Sequence, residues 1–100
     1  MQRFASFREF YPFYLSEHAN RTSRRLHFAG SVGVLLLLLL AIADRKAWWL
    51  LAALACGYGL AWIGHFFFEH NRPATFRHPF YSFLGDWMMF ADVLRGRVRL

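Results

Sequence analysis

The chain has 100 residues, of which 57% are hydrophobic and 20% aromatic, and its formal net charge is +6. A soluble domain of this length buries too little surface to hide so much apolar area, so the composition argues against a small soluble enzyme or binding domain. The basic surplus lies in arginines that flank apolar segments, as membrane topology requires, and no part of the chain resembles a nucleic-acid-binding module.

The first predicted element is an amphipathic helix over residues 4–20 that lies in the membrane interface. Aromatic side chains recur there at helical spacing, with charged residues between them. Tyr14 and His18 share one face of this helix. The polar stretch 20–23 predicts a connection into the next element, with Thr22 or Ser23 as the N-cap.

Two apolar runs follow and predict a transmembrane helical hairpin. The first span is placed at 26–43 and the second at 47–69, and each is close to the length of about 20 residues that a bilayer requires. The segment Asp44-Arg45-Lys46 is the polar turn between them. Five arginines precede the first span and five follow the second, so both termini are expected in the cytoplasm. The expected location is a bacterial inner membrane, or the endoplasmic reticulum if the source is eukaryotic.

Beyond the second span, Pro73 and Pro79 predict a structured loop, since proline interrupts a helix. A second interfacial amphipathic helix is then predicted over 80–95, with Asp86 and Asp92 off its apolar face. The predicted fold is therefore all-α and integral to the membrane. It is one membrane domain over residues 1–100, a transmembrane helical hairpin flanked by two interfacial amphipathic helices.

The depths of the histidines favour a site at one membrane edge. His27 lies 17 residues before Asp44 and His65 lies 19 residues after Lys46, which places them about 26 and 28 Å from the turn. His18 approaches that level from the first helix, and Glu69 follows His65 by one helical turn. Three imidazoles and a carboxylate are thus able to meet at one depth.

Such a cluster suits iron, zinc, copper or nickel, and open positions would allow oxygen activation at non-haem Fe(II). Since no cysteine lies nearby, a structural thiolate zinc site is disfavoured. The alternative is that each histidine binds backbone carbonyls or lipid head groups at the interface. His70 points about 100° away from Glu69 and is expected at the surface. His78 is either a ligand or second-shell group that folds back toward the site, or a loop-packing residue.

Polar residues around the proposed site suggest a lipid-like substrate. Arg72 and Arg77 suit a carboxylate or phosphate head group, with ordinary positive-inside anchoring as the alternative. The tail would lie among Phe66, Phe67 and the leucine run. Asn20 either orients a ligand by hydrogen bonding or forms a turn.

The motifs resemble a known membrane family. They are Tyr14…His18-Ala19-Asn20-Arg21…His27-Phe28-Ala29-Gly30, Ala61-Trp62-Ile63-Gly64-His65…Glu69…Arg72-Pro73-Ala74, and the downstream Thr75-Phe76-Arg77-His78-Pro79 and Gly85-Asp86-Trp87. The pattern is similar to the family of the fungal 2-hydroxy fatty acid dioxygenase, in particular to its short bacterial branch. That fungal enzyme shortens 2-hydroxy fatty acids by one carbon with Fe(II) and oxygen.

The resemblance implies that His18, His27 and His65 are metal ligands and that Glu69 is a ligand or general base. The function expected from it is a membrane-embedded Fe(II)-dependent dioxygenase of 2-hydroxy fatty acids or a related lipid. Two alternatives stay open. One is a b-type haem protein with His27 and His65 as axial ligands, across a homodimer. The other is a small lipid-binding membrane protein without a metal.

Overall fold

The computed structural model describes residues 4–100, and 77% of these residues are helical. There are four α-helices: α1 (Phe7–Ser16), α2 (Arg21–Asp44), α3 (Trp48–Ile63) and α4 (Pro79–Leu94). A π-helical turn (Gly64–Glu69) continues α3, and a 3-10 turn (Ala74–Phe76) precedes α4. No strand occurs within residues 4–100. The predicted all-α fold, with a long hairpin flanked by two shorter helices, is confirmed.

The hairpin is formed by α2 and by α3 with its π-helical turn. These two helices, Arg21–Asp44 and Trp48–Glu69, are long and apolar enough to cross a membrane. Only 17% of the most apolar window of each is buried, whereas the core helix of a soluble protein is mostly buried. The outward leucines of α2 therefore need an apolar solvent, which indicates a membrane-associated protein.

Close packing of the hairpin depends on small residues, as is common between membrane helices. A Cβ atom added at Gly33 would lie only 2.6 Å from the Cys56 sulfur atom. The cysteine therefore occupies the space that a side chain at position 33 would need. This close approach allows the two helices to pack tightly along the apolar part of the hairpin.

The first span begins with a polar turn that hydropathy does not mark. Asn20 is the N-cap of α2, and its side-chain oxygen accepts hydrogen bonds from the backbone N–H groups of Thr22 and Ser23, at 2.9 and 3.2 Å. The predicted cap at Thr22 or Ser23 is therefore wrong. The helix starts at Arg21, upstream of the predicted span, because the capping asparagine lies before the charged residues.

The buried core lies at the end of the hairpin opposite to the α2–α3 turn. Phe10 and Tyr14 of α1 pack there against Met89 of α4 and Ala74 of the 3-10 turn. The helices α1 and α4 thereby cover the ends of the two spans. The buried polar side chains among residues 4–100 are His18, Ser23, His27, Ser31, His65, Ser82 and Asp92, and most of them lie at this end of the hairpin. Any chemistry that needs polar groups shielded from solvent is thus placed at this end.

Candidate functional site

Three histidines from different elements meet in the buried layer. His18 follows α1, His27 lies in α2, and His65 lies in the π-helical turn. Their exposed fractions are 2%, 6% and 3%. The ring centroid of His18 lies 5.2 Å from that of His27 and 4.4 Å from that of His65. The structure therefore brings together the three histidines that were predicted as metal ligands.

The position of His65 depends on the π-helical turn. A π-helical turn inserts one residue into the helical register, and such turns are frequent at functional sites. The turn ends at His70, which adopts a left-handed conformation with φ 58°. The next residue, Asn71, donates its backbone N–H to the carbonyl oxygen of His65 at 3.0 Å. The chain thus folds back over His65 and brings the Asn71 side chain to its ring.

The tautomer of His18 follows from its hydrogen bond. Its Nδ1 lies 2.9 Å from the carbonyl oxygen of Tyr14, which can only accept, so Nδ1 carries the proton. Its Nε2 is buried and has no hydrogen-bond partner within residues 4–100. Burial lowers the pKa of His18 well below its ordinary value, and the nearby His27 and His65 lower it further. His18 is therefore neutral and presents an unshared lone pair.

His27 is oriented by a carboxylate and a phenol. Its Nε2 lies 2.9 Å from Asp86 Oδ1, and the Tyr14 hydroxyl donates to the same oxygen at 2.5 Å. Since an ionised carboxylate only accepts, Nε2 carries the proton. The Nδ1 atom of His27 is buried and unpartnered in the described part of the chain. Burial, followed by the charge of Asp86, raises the pKa of Tyr14 well above its ordinary value, so its hydroxyl remains a donor.

His65 is oriented by an amide. Its Nδ1 lies 2.7 Å from Asn71 Oδ1. The Nδ2 of Asn71 donates to the carbonyl oxygen and to the carboxylate of Glu17, at 3.2 and 3.0 Å. Both groups only accept, so the amide orientation is fixed and its oxygen faces His65. His65 therefore donates from Nδ1, and its Nε2 keeps a lone pair.

Each of the three rings thus donates one N–H to an oxygen and keeps the other nitrogen for a cation. This is the arrangement that metal-ligating histidines usually have. All three rings line a small cavity of about 10 Å³, which is close to the volume that one water molecule needs. The available space suits a single ion better than a haem macrocycle.

The three imidazole nitrogens are donor atoms of a type that binds transition metals, namely iron, zinc, copper and nickel. Two of the three candidate nitrogens, in His18 and His27, are buried without a partner, which is costly unless something binds them. As the side chains stand, residues 4–100 contain no group of three or more His, Cys, Asp or Glu arranged to hold a metal ion. Metal binding would require the rings to turn toward a common point.

A larger cavity of about 350 Å³ opens beside the histidines. His27, Asp86 and Tyr58 line both cavities, so the two are adjacent. The larger one follows the groove between α2 and α3 as far as Leu38 and Leu50. Its volume is within the range of small-molecule sites, of about 300–1,000 Å³. We call it the hairpin groove.

The predicted catalytic residue Glu69 binds a backbone group. Its Oε1 accepts a hydrogen bond from the backbone N–H of Asn20. It thereby connects the end of the π-helical turn to the N-terminus of α2. Asn20 itself is the helix cap described above, which corresponds to the turn alternative. A ligand or general-base role for Glu69 stays a prediction.

The other predicted residues lie away from the three histidines. Arg72 and Arg77 are exposed. The ring of His78 packs beside Phe4 and Phe10, with centroid distances of 5.2 and 5.4 Å, which corresponds to the loop-packing alternative. His70 is exposed, as predicted.

Asp86 and Asn71 orient two of the histidines, and the sequence alone did not identify this role. The helical spacing places Asp86 off the apolar face of its helix, yet it faces His27, 59 residues earlier in the chain. The absence of a side chain at Gly85 permits this approach, since a Cβ there would lie 2.9 Å from the Tyr14 ring. The sequence feature that could have indicated this role is that Asp86 is a carboxylate inside an otherwise apolar helical segment.

Comparison with known proteins agrees with the resemblance in the sequence. The family model described as 2-hydroxy-palmitic acid dioxygenase Mpo1-like matches residues 4–98. The chain belongs to this family. The comparisons found no matching curated protein and no matching solved structure. Membership of the Mpo1-like family relates the protein to lipid metabolism and to dioxygenases.

Proposed function

We propose that the protein is a membrane-embedded, Fe(II)-dependent dioxygenase that acts on 2-hydroxy fatty acids or a closely related lipid. One observation carries the proposal. Three buried histidines, each oriented by its own oxygen acceptor, line one ion-sized cavity, and an apolar groove begins beside it. The family name supports the substrate class and the reaction type.

His18 Nε2, His27 Nδ1 and His65 Nε2 would hold the metal. When it is bound, ferrous iron supplies the chemistry that activates dioxygen. Over the whole reaction, the C1–C2 bond of a 2-hydroxy acid breaks. One molecule of O₂ is reduced, and the products are the fatty acid one carbon shorter, CO₂ and water.

The protein's own residues contribute orientation and shielding. Asp86, Asn71 and the Tyr14 carbonyl fix the tautomers of the three histidines, so the lone pairs are preorganised. At the polar end of the hairpin groove, the Tyr14 hydroxyl donates a hydrogen bond to Asp86 Oδ1. The Tyr14 hydroxyl oxygen and Asp86 Oδ1 lie 3.1 and 2.9 Å from His27 Nε2. The layer formed by α1 and α4 excludes water from this point.

We also infer the orientation of the hairpin in the membrane. Arginines dominate both flanks of the hairpin and only Arg45 and Lys46 lie in its turn, so we infer that both termini and the histidines are on the cytoplasmic side. A bacterial inner membrane fits this arrangement.

The test is elemental analysis of the full chain, purified without added metal, together with turnover of 2-hydroxypalmitic acid. We expect iron in the protein, oxygen consumption, and a fatty acid one carbon shorter by mass spectrometry. His18→Ala and His65→Ala should lose both metal and turnover, whereas His70→Ala, at an exposed histidine, should keep both. Absence of iron after loading with ferrous salt, or full turnover by His65→Ala, would refute the proposal. A Soret band in the purified protein would favour the haem alternative.

A further inference from the structure

One face of α2 combines a cation, a candidate metal ligand and an apolar stripe. Its residues follow one another at intervals of three and four, which places them on the same side of a helix. They are Arg24, His27, Ser31, Val34 and Leu38. The last four line the hairpin groove, and Arg24 lies one helical turn beyond its polar end.

The hairpin groove has the dimensions of a site for one extended chain. From His27 to Leu38 it follows 12 residues of α2, which span about 16 Å along the helix axis. Ala53, Gly57 and Ala61 of α3 form the opposite side. The polar groups are concentrated near the histidines, and the far end is lined by leucines. This polarity matches an amphiphile whose head group lies at the histidine end.

Arg24 provides a positive charge at that end. It is half-buried, and its Nε is buried without a hydrogen-bond partner within residues 4–100. Arginine binds carboxylates through two parallel hydrogen bonds. Arg24 is therefore better placed for a head group than the exposed Arg72 and Arg77.

We propose that the hairpin groove binds one unbranched alkyl chain, and that Arg24 holds the carboxylate of that chain. A ligand bound in this way has its first carbons beside His27 and its tail directed toward Leu38. The inference rests on the proposed function for the identity of the reaction, but binding of the fatty acid requires neither metal nor oxygen. The outward faces of Phe66 and Phe67, where we predicted the tail, are exposed and lie outside the groove.

The head-group arm uses displacement of a fluorescent fatty acid from the purified full chain in a non-ionic detergent. Palmitic acid and methyl palmitate compete for the site. We expect the wild type to prefer the acid by about tenfold, the effect of a hydrogen bond to a charged group. Arg24→Gln should abolish this preference. Arg25→Gln removes the same charge from the exposed neighbour and should retain it.

The chain-length arm uses a series of saturated fatty acids. Each buried methylene should improve binding about fourfold until the groove is full. A side chain at Gly57 would crowd the groove, since its Cβ would lie 2.8 Å from a Val34 methyl group. Gly57→Leu should therefore end the rise at a shorter acid. Gly59→Leu, where a Cβ meets nothing within 4 Å, is the matched control.

A second variant guards against misfolding of Gly57→Leu. Leu38→Ala shortens a side chain at the far end of the groove and should extend the rise to longer acids. Equal binding of acid and ester by the wild type, or an equal effect of Arg24→Gln and Arg25→Gln, would overturn the role of Arg24. Chain-length curves that coincide for the wild type and Leu38→Ala would overturn the groove.

The two proposals fail in different ways. Fatty-acid binding that depends on Arg24 and on groove length, without turnover of 2-hydroxypalmitic acid, would support the groove and refute the dioxygenase. Turnover of that acid with no dependence on Arg24 or on chain length would support the dioxygenase and refute the groove.

Discussion

Removal of the Tyr14 hydroxyl should separate the stability of the fold from the chemistry of the site. Two phenols, one turn apart on α1, each donate to an aspartate on α4. Tyr14 donates to Asp86 at 2.5 Å, and Tyr11 donates to Asp92 at 2.7 Å. Only the first pair also contacts a histidine. Tyr14→Phe and Tyr11→Phe are therefore matched variants that delete the same atom from equivalent bonds.

The expected magnitudes follow from burial. A hydrogen bond to a charged group contributes about 1.5–3 kcal/mol, and a buried one lies at the upper end of this range. Tyr14 is 1% exposed, so Tyr14→Phe should lower the free energy of unfolding by about 2–3 kcal/mol. Tyr11 is half-buried, but its acceptor Asp92 is only 6% exposed, so loss of the Tyr11 hydroxyl leaves a buried carboxylate without this donor and should cost about 2 kcal/mol. Because Tyr14 supports the partner of His27, its loss should also weaken Fe(II) binding by about tenfold.

The assays are unfolding of the full chain in mixed micelles and Fe(II) affinity by competition with a chelator. Both variants should be less stable, and only Tyr14→Phe should bind Fe(II) more weakly. Equal loss of metal affinity in the two variants would show that Fe(II) affinity depends on the packing of α1 on α4 and not on the Tyr14–Asp86–His27 contact. Unchanged metal affinity in Tyr14→Phe would refute the orienting role.

Three further predictions use the same measurements. Asn71→Ala removes the acceptor of His65 Nδ1 and should lower Fe(II) affinity about 10–100-fold; an unchanged affinity would mean that His65 is not a ligand in the proposed tautomer. Glu69→Gln keeps an oxygen for the Asn20 N–H and should retain turnover, and loss of turnover in a folded variant would instead support the general-base role. The pKa of Tyr11 is raised above its ordinary value, first by burial and then by its bond to Asp92. Folding therefore favours the protonated phenol, so the contribution of Tyr11 to stability should be constant below about pH 10 and fall above it. Tyr11→Phe should show a smaller fall, and identical pH curves would contradict this reasoning.

Hydropathy and helical spacing predicted the four helices because burial in a membrane leaves a period and a length in the sequence. Depth counting along the two spans also placed His27 and His65 at one level, since a straight antiparallel hairpin converts sequence distance into depth. The contact of His18 with both rings required only that α1 return to the same edge. The helices and the common level of the three histidines could be predicted because they depend only on helix geometry and on the position of the turn between α2 and α3.

The acceptors of the histidines could not be predicted in the same way. The Asp86–His27 contact depends on the path of the loop between the π-helical turn and α4, and no periodic pattern encodes that path. The acceptor of His65 depends on a π-helical turn, which has no compositional signature. The hydrogen bond of Glu69 could not be predicted from the sequence either. The spacing of Glu69 from His65 was correct for a shared helical face, but the wider register of the π-helical turn and the nearby N-terminus of α2 direct it to the Asn20 N–H.

The position of the site follows from what two helices alone are unable to do. A hairpin has one contact surface and gives the side chains on its outer faces no cover, so polar groups along its middle would face lipid. Only where α1 and α4 add a second layer do His27 and His65 become buried, and α1 brings His18 to the same point. Toward Leu38 and Leu50, the residues that line the hairpin groove are all apolar. A ligand from the bilayer would thus enter with its tail in the membrane phase and meet polar groups only at its head, which is the orientation that the proposed oxidation next to a carboxylate requires.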